Sequence, residues 1–132
     1  MAGASEWLTG VWHGLYTYRG EPEPVYFVAT LIQSGAYLSG STLESAIGRA
    51  GTPLTLTALI EGARDENHIH FIKRYDGSAG WYHGVDYAGV LNEERTEIEG
   101  RWTIGSAANG RFLMIRSSGA SERAVRRSFE RV

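Results

Sequence analysis

The chain contains no cysteine. Disulfides, thiolate metal sites and a cysteine nucleophile are excluded, so any chemistry falls to other side chains. Long hydrophobic runs are missing too. No apolar stretch approaches the ~20 residues of a membrane helix, and Met1 to Glu6 is small and polar. The expectation is a cytoplasmic protein with no membrane partner. A net field is also lacking, because 13 Lys and Arg stand against 15 Asp and Glu, for a formal charge of -2. Nothing global would draw the chain to nucleic acid. No Walker loop, dinucleotide fingerprint, Gly-x-Ser-x-Gly elbow or zinc-protease helix occurs, and no cofactor is expected.

Glycine is plentiful. There are 17 in 132 residues, scattered singly through apolar and aromatic stretches rather than gathered into a tether. Glycine inside a strand marks a bend or a close backbone approach. An apolar or aromatic residue precedes glycine by two positions in Trp12-His13-Gly14, Leu38-Ser39-Gly40, Ile60-Glu61-Gly62, Tyr87-Ala88-Gly89 and Ile98-Glu99-Gly100. Such a rhythm suits a narrow barrel, whose coiled strands need glycine on the concave face beside aromatic neighbours.

The length suits one domain over residues 1–132. Alternation predicts strands over 7–19, 25–33, 37–44, 54–62, 68–75, 82–91, 96–104 and 111–117, joined by turns such as Ser34-Gly35. The clearest puts Ile98, Gly100, Trp102 and Ile104 on one face and Glu97, Glu99, Arg101 and Thr103 on the other. Val25 to Gln33 is nearly continuous in apolar and β-branched residues and reads as a strand buried on both faces. Residues 45–53 read as a loop. Val125, Phe129 and Val132 change the period and predict a short helix over about 121–132, capped by Ser121 and packed over Leu113 and Ile115. Its arginines, Arg123, Arg126, Arg127 and Arg131, are interrupted by Glu122 and Glu130 and read as a solvated face. The fold class is all-β: a closed antiparallel up-and-down barrel of about eight strands that removes its own sheet edges.

Gly10-Val11-Trp12 at the start of the first strand resembles the Gly-x-Trp signature of the lipocalins and the wider calycin superfamily. That resemblance implies a β-barrel whose bottom is closed by Trp12. It also implies an arginine near the end of the last strand packed across the tryptophan, the place Arg116 holds in Phe112 to Arg116.

With Trp12 inward, period 2 turns Tyr16 and Tyr18 inward towards the opposite end, the mouth. On the fifth strand Ile69 and Phe71 carry Lys73 and Tyr75 inward with them, and the sixth adds Tyr87. Tyr16, Tyr18, Lys73, Tyr75 and Tyr87 are therefore the candidate ligand-binding residues, an apolar pocket with phenols and one ammonium. No inward carboxylate is identified to pair with Lys73, so an anion supplied by a ligand would meet it. His68 and His70 share the other face of that strand, towards solvent, where a surface pair is commoner than a metal site needing a third ligand from His13 or His83.

The expected function is an intracellular small-molecule binding protein holding a small aromatic or acidic ligand. The alternative is an enzyme of isomerase or cyclase type using Lys73, Tyr75 or a mouth tyrosine for acid-base chemistry. A third reading is a filled barrel that works through its outer surface. A continuous outward apolar band would make a second copy of the chain the partner, as a homodimer.

Overall fold

A computed structural model describes residues 7–47, 50–77 and 84–117. Eight strands form one closed barrel in sequence order: β1 (Gly10–Tyr18), β2 (Val25–Ser34), β3 (Tyr37–Ile47), β4 (Pro53–Asp65), β5 (His68–Tyr75), β6 (Gly84–Leu91), β7 (Glu97–Ile104) and β8 (Ala108–Arg116). Every neighbouring pair is antiparallel, and β1 closes the ring on β8. The helix expected over 121–132 lies outside the described residues.

Several strand boundaries differ from the sequence reading, among them those in the following two places. β3 runs on to Ile47 and β4 spans Pro53–Asp65, so much of the expected loop over 45–53 is paired strand, with Ser45 opposite Thr55 and Ala46 opposite Leu54. β8 begins at Ala108, inside the expected turn, where Ala108 pairs with Ile104. In both places a neighbouring strand supplies backbone partners that local composition does not reveal. The β2–β3 hairpin does turn tightly, with Ser34 opposite Tyr37 and Gly35 at φ +61°, a left-handed conformation that glycine adopts without a Cβ clash.

β2 requires a correction. It is not buried on both faces: Phe27, Ala29 and Leu31 point inward, while Tyr26, Val28, Thr30 and Ile32 are exposed. A single-layer barrel has one interior, so even an almost wholly apolar strand must show one face to its surroundings.

The core is a column of inward side chains from all eight strands, including Trp12, Leu31, Leu38, Ile60, Phe71, Tyr87, Ile98, Trp102, Phe112 and Met114. Inward glycines make room for rings. A Cβ on Gly14 would stand 2.2 Å from Cζ of Phe27, and one on Gly89 would stand 2.8 Å from Cζ of Phe112. At Gly100, directly opposite Gly89, the obstacle is backbone: a Cβ would lie 2.0 Å from the carbonyl oxygen of Ala88 and 2.5 Å from Cα of Gly89. Neither atom can swing aside. Gly100→Ala is therefore expected to lose about 1–3 kcal/mol of stability, measured by urea denaturation. An unchanged midpoint would mean that β6 and β7 do not approach this closely.

Candidate functional site

Trp12 and Tyr18 stand towards opposite ends of β1 and define opposite ends of the barrel. The Trp12 end is closed. Trp12 is fully buried, its indole Nε1 donates to the carbonyl of Leu8 at 2.9 Å, and it lies opposite Arg116 in the β1–β8 ladder. The Arg116 guanidinium covers the indole 4.9 Å from its centroid and also donates to the carbonyl of Trp7. A cation over an aromatic face is attracted by the ring's quadrupole, so this pair holds the N-terminal approach against the end of β8.

The opposite half of the interior holds a polar centre. Alternation from Leu38 sends Gly40, Thr42 and Glu44 of β3 inward, and Glu44 is 5% exposed. Its carboxylate accepts three hydrogen bonds. Tyr16 Oη donates to Oε2 at 2.7 Å, while Tyr75 Oη and Lys73 Nζ donate to Oε1 at 2.9 and 3.1 Å. Ala58, the inward residue of β4 between Thr42 and Tyr75, is small and leaves space for side chains of β3 and β5 to meet across it. Four rings surround the ammonium: Tyr16, Tyr75, Phe27 and Tyr87, with centroids 4.8, 4.9, 5.2 and 5.4 Å from Nζ. Lys73 is thus held by a carboxylate on one side and by aromatic faces on the others.

Glu44 corrects the expectation that Lys73 meets no carboxylate. With it goes the argument for an acidic ligand, since the counter-charge is already present. Burial lowers the pKa of Lys73, and the charge and hydrogen bond of Glu44 oppose that shift. Burial first, then the charge of Glu44, drives Tyr16 far above the usual phenol range. Tyr75 is raised by burial first and by Glu44 next, and Tyr87 mainly by burial. These phenols stay protonated, so Tyr16 and Tyr75 serve as donors to the carboxylate.

All five sequence-derived residues face the interior. Tyr16, Lys73, Tyr75 and Tyr87 are buried, and Tyr18 is half-buried at the mouth. Tyr18 meets Trp102 edge-to-face at a centroid distance of 4.9 Å, and Trp102 in turn meets Tyr16 at 5.9 Å. The indole of Trp102 donates to the carbonyl of Thr17 at 3.0 Å. Between these rings lies a cavity of about 10 Å³ lined by Tyr16, Tyr18, Tyr75, Val85, Tyr87, Trp102 and Ile104. It has room for about one water. Thr42, one inward position from Glu44, is 1% exposed, and its hydroxyl has no hydrogen-bond partner among the described residues. Sequence reading missed Glu44, Thr42 and Trp102 as members of this centre.

His68 and His70 project outward and are exposed. His70 Nε2 lies 3.2 Å from Asp86 Oδ1 on β6. Among the described residues no group of three His, Cys, Asp or Glu could hold a metal ion.

Fold and interior together define an eight-strand antiparallel β-barrel with an aromatic-caged ion pair. Among solved structures it is similar to a redesigned β-barrel, with TM-score 0.66 and 14% identity over 87% of this chain and 96% of that one. It is also similar to a de novo designed fluorescence-activating β-barrel, with TM-score 0.58 and 13% identity over 89% of this chain and all of the other. No family model matches the chain, and no curated protein does. At these identities the likeness is one of fold.

Proposed function

We propose that the chain is a small-molecule binding barrel whose site is the aromatic mouth above Glu44. The observation that carries this reading is the cavity under Tyr18: five rings line it together with Val85 and Ile104, and the Glu44 network lies beside it. Apolar walls with a few convergent polar groups suit a small ligand. The ligand class is planar and aromatic, without a negative charge, since a second anion beside the Glu44 carboxylate would be repelled. One barrel of similar fold was designed to be fluorescence-activating. A lipocalin-like or calycin-like relationship belongs to the same proposal and draws on the Trp12–Arg116 pair. So does the cytoplasmic setting of a single domain, for which the sequence reading is the support. Among the described residues no helix is long and apolar enough to cross a membrane.

The cavity of about 10 Å³ is far below the 300 Å³ or more of an ordinary ligand pocket. Binding therefore requires a ring to move, and Tyr18, half-buried at the rim, is the one with least to lose. Acid-base catalysis is less well supported, because Lys73 is 1% exposed and donates to Glu44. Titration of the full chain with neutral planar aromatics, read by tryptophan emission, tests the proposal. Saturable one-to-one binding is expected, and Tyr18→Ala should change the affinity by about tenfold. If neither protein shows saturable binding, the ligand-binding reading is wrong and the filled barrel stands in its place.

A further inference from the structure

The outer wall is divided in character. On β2, β3 and β4 the outward residues include Tyr26, Val28, Ile32, Leu43 and Leu59, with Ser and Thr between them, and Ile32, Leu43 and Leu59 are each more than half exposed. They form one surface: Val28 lies opposite Leu43, and Ser41 lies between Thr30 and Leu59. The charges on this wall are Glu61, two residues along β4 from Leu59, whose carboxylate accepts from the Tyr37 hydroxyl at 2.9 Å, and Asp65 at the end of β4. The outward faces of β5, β6 and β7 instead carry Arg74, Asp86, Glu97, Glu99 and Arg101, all exposed.

We propose that the β2–β4 wall is the interface of a homodimer, with a second copy of this chain as its occupant. A closed barrel has no free strand edge, so copies do not join by pairing edges and an outer wall is left to meet the partner. The outward residues from Tyr26 to Ile32 on β2, from Tyr37 to Ser45 on β3 and from Thr55 to Leu59 on β4 are uncharged, so two copies related by a two-fold axis centred there meet without like-charge repulsion. At its border with β5 the wall carries a groove of about 290 Å³ lined by Tyr37, Leu59 and Ile72 together with Glu61 and Arg74, which supplies relief and one charge of each sign for side chains of the partner. Size decides the strength. About a dozen residues per copy, at about 35 Å² each, bury on the order of 800–1,000 Å² in total, which corresponds to a weak, reversible dimer.

Sedimentation velocity of the full 132-residue chain, from about 1 µM to about 500 µM, tests the proposal. The expected result is a concentration-dependent monomer–dimer equilibrium. Leu43→Glu and Leu59→Glu should each raise the dissociation constant at least about tenfold, and Ala88→Glu, on β6, should leave it unchanged. Circular dichroism reports whether each variant folds. If the glutamate variants do not, the absence of native cysteine allows a second route, in which Leu43→Cys cross-links under copper-phenanthroline and oxygen at least about ten times faster than Ala88→Cys. A monomer at every concentration overturns the proposal, whether residues of the same chain, a membrane surface or another protein cover the wall. So does a dimer that tolerates both glutamates, or one that cross-links equally through Ala88→Cys. Binding of neutral planar aromatics at the mouth is read separately, so failure of this interface leaves the ligand-binding proposal untouched.

Discussion

Glu44→Ala is expected to destabilise the chain by about 3–5 kcal/mol. The substitution removes the acceptor of three buried hydrogen bonds and leaves the Lys73 ammonium with aromatic faces alone. A domain of this size has a total stability of about 5–15 kcal/mol, so the variant will be marginal or unfolded at room temperature. Lys73→Met would be harmless to an unpaired ammonium, but here it strips Glu44 of its counter-charge and should also destabilise. Replacing both partners should cost less than the two single losses added together, because Glu44→Leu with Lys73→Met removes the desolvation cost of both charges, although the buried Tyr16 and Tyr75 hydroxyls lose their acceptor. Urea denaturation of the two single variants and the double variant forms a cycle. Two mild single losses that simply add would mean that the carboxylate and ammonium do not meet inside the barrel.

Trp12→Ala is expected to cost about 3–5 kcal/mol, the range for removing a large buried aromatic. Trp12 is fully buried, bonded to the Leu8 carbonyl and capped by Arg116. Its loss opens the closed end where β1 meets β8, the seam that makes the sheet a barrel. Arg116→Ala should cost less, because the arginine is only half-buried and covers one face of the ring. A loss below about 1 kcal/mol for Trp12→Ala, read from the same denaturation curves, would show that the closed end collapses without it.

Much of the barrel was legible because a strand's two faces differ at every second residue. Ile98, Gly100, Trp102 and Ile104 announce an inner face, and Glu97, Glu99 and Arg101 an outer one, with no knowledge of neighbours. The same parity placed Tyr16, Lys73, Tyr75 and Tyr87 inside. Glu44 obeyed the parity as well: it lies six residues after Leu38 on the same face. It escaped notice because Tyr37 and Leu43, on the opposite face, are apolar enough to compete for the interior, and a glutamate there reads as solvated. The continuous apolar run of β2 misled for a related reason. Apolar content by itself does not tell a residue facing a core from one on an exposed wall.

The chain by itself determined the closed all-β architecture, the inward parity of most core residues, and the glycines that let rings pack against backbone. These are properties of period and of side-chain volume, set within a few residues of each position. The tertiary structure alone decided that Glu44 meets Lys73, 29 residues away on a strand that is not its neighbour. It also decided that the cavity between Tyr16, Tyr18 and Trp102 is only about 10 Å³, and that Val28, Leu43 and Leu59 share one outer surface. Each of these depends on closure and register, which fix the distances across and around the barrel. Local alternation carries no information about those distances, because shifting a strand by two residues preserves its faces and changes its partners.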